Sequence, residues 1–137
     1  MRLTTKSEYG ILCLLNLAKT PNSDPVSLGK ISTQEGIQKD YVEKIMLALQ
    51  RSGIVKALRG LRGGFVLTRV PEEIRMLDVI VALEGKTFES FCDSGARGKN
   101  PCQYSGVNCG VRPLWARIRA AVDKVLEEVT LKDLLTY

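Results

Sequence analysis

The clearest alternation of apolar and polar positions lies between residues 26 and 68. In VSLGKISTQE, Leu28 and Ile31 sit at helical spacing behind Ser27, whose side chain suits an N-cap, and the pattern stops at Glu35-Gly36. After Ile37, the stretch QKDYVEKIMLALQRSG repeats Tyr41, Ile45, Ala48 and Leu49 at steps of three and four. Gln38, Lys39, Asp40, Glu43, Lys44 and Gln50 fall largely on the other side. Two short helices joined by a glycine-bearing turn, the second one amphipathic, predict a helix-turn-helix whose second helix enters a major groove. Directly behind it, IVKALRGLRGGFVL carries β-prone runs at Ile54 to Leu58 and Phe65 to Thr68. The three glycines of RGLRGG between them tolerate the backbone of a tight hairpin tip. This predicts a wing with Arg59 and Arg62 at its tip, beside the phosphate backbone or in a narrow minor groove.

The second half is patterned differently. VPEEIRMLDVIVALEG reads as a loop and a short helix from about Met76 to Leu83. Farther on, Val111, Trp115, Ile118, Val122, Val125 and Val129 follow steps of four and three, a heptad seam that Leu114, Ala121 and Leu126 widen. Pro113 is acceptable in the first turn of that helix, where its missing N–H costs nothing. Thr130 then caps a last short helix, LKDLL. A seam this wide packs either on its own domain or on a twin; since the winged helix already has a core, a homodimer is the expectation. The predicted class is mainly α with a small β-wing: a winged helix-turn-helix domain over residues 1–70, then a cysteine loop and long dimerisation helix over 71–137.

Charge supports this division. Residues 1–70 carry 11 Lys and Arg against 5 Asp and Glu, a net +6, whereas residues 71–137 carry 9 against 10, a net −1, which together give the +5 of the chain. Basic surface on a helix-turn-helix suits phosphate neutralisation and counterion release, so double-stranded DNA is the expected partner. Two readers about one duplex turn apart would match a pseudo-palindromic operator. The opening MRLTTKSEYG is polar, and the apolar run ILCLLNLA is far shorter than the roughly 20 residues of a membrane span, so no membrane partner and a cytoplasmic location are expected.

Three of the four cysteines, Cys92, Cys102 and Cys109, crowd one glycine-rich stretch, and the 137-residue chain contains no histidine. With 45% apolar residues the chain can build a core without disulfides. Clustered thiols of a reducing compartment serve more often as metal ligands or redox groups than as bridges. The spacing lacks the paired CxxC knuckles of a zinc ribbon, the CxxC of a thioredoxin-like enzyme and the histidine base of a cysteine hydrolase, so an enzyme is not expected. Thiolates on a glycine-rich loop suit an iron-sulfur cluster, whose sulfurs accept hydrogen bonds from backbone amides. Three thiolates leave one coordination position to fill.

MRLTTKSEYG at the start, GIQKDYVEKIMLALQRSGIVKALRGLRGGFVL in the middle and the three-cysteine loop followed by PLW resemble the winged-helix regulators of the IscR and NsrR type. These are iron-sulfur cluster regulators and nitric-oxide-sensing repressors, and the likeness runs nearly the full length. The resemblance implies a [2Fe-2S] or [4Fe-4S] cluster on Cys92, Cys102 and Cys109. Where IscR-like proteins carry a histidine three residues after the third cysteine, this chain has Arg112. NsrR-like members instead take a carboxylate near the N-terminus of the other subunit, a place that Glu8 occupies here. The cysteines are spaced more widely than is usual in the family, and Asp93 and Cys13 are fallback ligands, although Cys13 reads as a small core residue. For DNA, the resemblance implies contacts from Gln38, Lys39, Asp40, Tyr41, Glu43 and Lys44, with Glu43 discriminating bases as an acceptor from cytosine. It also implies the wing contacts Arg59 and Gly60 beside Arg62, and phosphate contacts from Arg2, Lys6 and Lys44. The expected mechanism is a cluster that ties the first helix of one subunit to the loop of the other and thereby sets the placement of the readers. Two rivals are a metal-free regulator using the loop thiols as redox switches and a zinc-stabilised structural protein.

Overall fold

Thr4 opens the first helix: its side-chain oxygen accepts from the Lys6 N–H, and α1 spans Thr5–Lys19. The computed structural model describes residues 3–88, 90, 92, 96–97, 100–103 and 109–137. A short 3-10 turn (Pro21–Ser23) leads into α2 (Leu28–Glu35), capped by Ser27, whose hydroxyl accepts from the Lys30 N–H at 3.2 Å. Gly36 stops α2 in the left-handed conformation (φ 67°), which a residue without Cβ adopts freely. Next come α3 (Lys39–Arg51) and an antiparallel hairpin of β1 (Val55–Leu58) and β2 (Gly64–Leu67), in register from Val55↔Leu67 to Leu58↔Gly64. A second 3-10 turn (Pro71–Glu73) precedes α4 (Met76–Glu84). Two-residue strands β3 (Ala96–Arg97) and β4 (Asn100–Pro101) pair within the cysteine loop, and α5 (Val111–Glu128) and α6 (Leu131–Leu135) complete the chain.

The mainly helical architecture with one small wing matches the sequence pattern nearly element for element. The apolar stripes explain how it closes. Cys13, Leu14 and Leu17 of α1 meet Ile31 of α2, Val42, Ile45, Met46 and Leu49 of α3, and Val79 and Leu83 of α4. Ile74, Met76 and Leu131 join the same cluster, so the core draws on both segments expected from the sequence. Leu131 arrives there because the chain flanking α6 lies against the chain preceding α4. The Leu131 N–H donates to the Ile74 carbonyl at 2.8 Å and the Met76 N–H to the Val129 carbonyl at 2.9 Å. Thr130 forms the expected cap as a reciprocal box with Asp133.

Two details depart from the periodicity. On α3 the fully buried positions are Val42, Ile45, Met46 and Leu49, whereas Tyr41 and Ala48 are only half-buried. Tyr41 is drawn to the edge of the core by Tyr9, its ring meeting that of Tyr9 edge-on at 5.8 Å between centroids. On α5 none of the 18 residues is buried, and Val111, Leu114 and Val125 are 49%, 51% and 58% exposed. The helix touches α4 along one side and leaves much of its seam in solvent. Among the described residues, no helix is long and apolar enough to cross a membrane.

Candidate nucleic-acid interface and sensor loop

The polar stripe of α3 follows from what the opposite stripe buries. With Val42, Ile45, Met46 and Leu49 fixed in the core, Gln38, Lys39, Asp40, Glu43 and Lys44 have only solvent to face, and all five are exposed. The turn before them is held from both ends. The Ser32 hydroxyl donates to the Ile37 carbonyl at 2.6 Å, and the Ile37 N–H donates back to the Ser32 carbonyl at 3.2 Å. Such a turn fixes the angle at which α3 leaves α2.

The wing follows α3 and touches it through β1. Arg59, Gly60 and Arg62 are exposed at its tip, and the tip-side end of β2 is clamped to the segment between α1 and α2. There the Val26 N–H donates to the Phe65 carbonyl at 3.0 Å and the Phe65 N–H to the Val26 carbonyl at 2.9 Å. Gly64 permits this approach, because a Cβ on it would lie 2.4 Å from the Val26 carbonyl carbon. Lys6 and Glu8 lie in the first turns of α1, half-buried and exposed respectively. Arg2, expected to contact phosphate, lies outside the described residues.

A residue without any local sequence signal fixes the start of α1. Glu84, the last residue of α4, accepts through one carboxylate oxygen from the hydroxyls of Thr4 and Ser7, the latter at 2.6 Å. Burial pushes the Glu84 carboxyl up, but those hydrogen bonds, with the nearby Lys6 ammonium, outweigh it and hold the group below the usual glutamate range. The turn that carries Lys6 and Glu8 is thereby tied to the end of α4, from which the cysteine loop departs. Partners 77 and 80 residues apart leave no pattern for sequence reading to find.

The root of that loop is anchored on α5. The Phe88 ring packs on Trp115 at 5.9 Å between centroids, and the Thr87 hydroxyl donates to the Asp123 carboxylate. Cys92, Cys102 and Cys109 are free, partly exposed thiols, with the β3–β4 hairpin lying between the first two. Among the described residues, no three His, Cys, Asp or Glu side chains converge as metal ligands, so the three thiols and Glu8 are not brought together within the single chain. Their donor chemistry nevertheless fits an iron-sulfur group: three soft, sterically accessible thiols on one loop, without a histidine in the chain to compete. Cys13 is a different case. It is fully buried, and burial, followed by the Glu35 charge, pushes its thiol up to about 12, as befits a core residue rather than a fallback ligand. Asp93, the other fallback, lies outside the described residues.

Comparison with known proteins agrees with this arrangement. The family model described as "Rrf2: Iron-dependent Transcriptional regulator" matches residues 3–137. The HTH-type transcriptional regulator CymR of Bacillus subtilis is 35% identical over 139 residues, covering 100% of this chain and 91% of CymR. The solved structure of CymR, the global cysteine regulator of B. subtilis, superposes with a TM-score of 0.81 at 33% identity, covering 100% of this chain and 98% of that one. IscR of T. potens superposes with a TM-score of 0.76 at 28% identity, covering 99% and 87%. A wing beside an outward polar helix, on a fold shared from end to end with these regulators, identifies the chain as a member of the Rrf2 family of winged-helix transcriptional regulators.

Proposed function

We propose that this regulator is a homodimer that reads a pseudo-palindromic DNA operator and takes its signal through Cys92, Cys102 and Cys109. The observation that carries this reading is the position of the loop: its root bears on α5 through Phe88 and Thr87, and the α4 end from which it leaves holds the start of α1 through Glu84. The exposed apolar seam of α5 suits pairing with a second copy, which places α3 of each protomer at successive major-groove faces. Gln38, Lys39, Asp40, Glu43 and Lys44 then face bases and phosphates, Tyr41 divides its role between core and phosphate, and Arg59, Gly60 and Arg62 lie along the minor groove. Lys6, and Arg2 ahead of it, serve phosphates.

The three thiolates would hold an iron-sulfur cluster, with Glu8 of the second protomer as the remaining ligand; such a group supplies redox and nitric-oxide reactivity. What this chain contributes is the linkage. A change at the thiols would load the Phe88–Trp115 contact on the pairing helix and the Glu84 tie on α1, so the spacing of the two α3 helices would follow the state of the thiols. A coupling of about 1 to 3 kcal/mol would change DNA affinity roughly 5- to 150-fold.

A second reading has one observation in its favour. CymR, at 35% identity, is named as a cysteine regulator, and the free, partly exposed thiols here suit a metal-free switch. Anaerobic purification followed by a visible spectrum and metal analysis separates the two. Iron, sulfide and visible absorption are expected. A colourless protein whose DNA affinity tracks disulfide formation would replace the cluster with thiol chemistry, and stoichiometric zinc without a redox response would overturn both.

A further inference from the structure

The wing tip carries an exposed apolar side chain, Leu61, among its arginines. Gly60 to Gly63 form a four-residue turn closed by the Gly63 N–H donating to the Gly60 carbonyl at 2.9 Å. Leu61 and Arg62 occupy its two central positions, and neither has a positive φ. The turn leaves no slack: a Cβ on Gly63 would lie 2.6 Å from the Leu58 carbonyl oxygen and 2.8 Å from that of Gly60. On this turn Leu61 is 109% exposed, the largest value among the exposed large hydrophobic residues. Arg62 follows it directly and Arg59, the residue after β1, lies two positions before it, both exposed.

A single surface leucine ordinarily needs no explanation. Here, however, the side chain is fully in solvent, and two exposed arginines lie within two positions of it on the same hydrogen-bonded turn. Guanidinium groups are drawn to the negative potential of a narrow minor groove, and apolar side chains delivered there wedge between base steps and kink the duplex. We propose that Leu61 is a minor-groove wedge: the arginines bring the tip to the groove, and the leucine enters a flexible pyrimidine–purine step. This makes Leu61 a specificity-determining residue, because the cost of opening a step depends on which bases are stacked in it. The inference rests on the wing lying against DNA as proposed above, and charge and shape make separable contributions to it. Arginine contacts to phosphate weaken with salt, whereas burial of a leucine releases no counterions.

The test begins with duplexes enriched from a random-sequence pool by the full-length parent protein. On such a duplex, Leu61→Ala is expected to bind about tenfold more weakly with the parent's salt dependence, and Leu61→Met to restore binding to within about twofold. Arg62→Ala is expected to lower the slope of log affinity against log salt by about one. With 2-aminopurine at the wing-proximal step, the parent should raise fluorescence by unstacking the base, and Leu61→Ala should not. Because Leu61 supports no packing, all three variants should melt as the parent does. Parent-like affinity and fluorescence for Leu61→Ala, or a loss that appears as a reduced salt slope, overturns the wedge while leaving DNA reading intact. Failure of the parent to enrich any duplex, or parent-like salt dependence for Arg62→Ala, overturns the placement of the wing itself.

Discussion

Replacing Gly64 by alanine should cost far more than adding one methyl group suggests. The new Cβ would sit 2.4 Å from the Val26 carbonyl carbon, 2.5 Å from its oxygen and 2.8 Å from the Ser27 nitrogen. Carbon atoms rest comfortably at about 3.5 to 4.0 Å, so β2 must retreat from the α1–α2 segment by about 1 Å or more. These neighbours are backbone atoms and cannot rotate aside. Such a retreat breaks the paired hydrogen bonds between Val26 and Phe65, 3.0 and 2.9 Å long. Two hydrogen bonds at about 1 kcal/mol each, with an overpacking cost of about 1 to 3 kcal/mol, give a loss of about 3 to 5 kcal/mol. In a chain of this size that lowers Tm by about 10 °C or more at fixed protein concentration. Gly29→Ala is the control, because a Cβ there meets nothing within 4 Å; its effect should stay within about 1 kcal/mol. Urea unfolding of both variants measures the difference. Since the tip-side end of β2 is displaced, Gly64→Ala should also bind DNA more weakly. A Gly64→Ala protein within about 1 kcal/mol of the parent would refute the clamp.

Other outcomes follow from the same contacts. In reduced, metal-free native protein, a disulfide reagent should titrate three thiols promptly and the fourth only after denaturation, since Cys13 is fully buried and its thiol is pushed up to about 12; four prompt thiols would contradict this. The Glu84 carboxyl is depressed in the folded state, so its contribution is present above the unfolded value near 4.5 and is lost as pH falls through the folded value. The stability gap between parent and Glu84→Gln should therefore shrink below about pH 4.5, and a gap that stays constant through acid would show that the ties to Thr4 and Ser7 do not depend on charge. Leu114→Asp with Val125→Asp should leave the monomer folded, because both side chains are more than half exposed, while sedimentation should show loss of the dimer. A dimer that survives both changes pairs through some other surface.

Local chemistry made most of the fold legible. Ser27 and Gly36 bracket α2, the glycines of RGLRGG demand a hairpin, and Thr130 caps the last helix, because in each case one residue type solves a backbone problem within a few positions. The buried face of α3 was less legible, because Tyr41, Val42, Ile45, Met46, Ala48 and Leu49 form an apolar stripe broad enough to sit in more than one rotation. The observed rotation is set by packing against α1, α2 and α4, with Tyr41 left to meet Tyr9 at the edge. The Glu84 ties and the Val26–Phe65 clamp join residues far apart in the chain and leave no periodic trace. The cysteines were identifiable as a group by their crowding, but crowding in sequence does not make side chains converge, and a ligand from a second protomer would leave no spacing at all.

In the proposed regulator, the state of Cys92, Cys102 and Cys109 changes the grip of paired α3 helices on DNA. The most direct test of this linkage is the affinity of anaerobically prepared parent for an enriched operator duplex, by fluorescence anisotropy, before and after one treatment with nitric oxide or oxidant, alongside the Cys92→Ser, Cys102→Ser, Cys109→Ser triple variant. The parent's affinity should change by at least about fivefold, and the triple variant should stay at one affinity throughout. A parent that binds identically in both states, or a triple variant that still responds, would contradict the linkage.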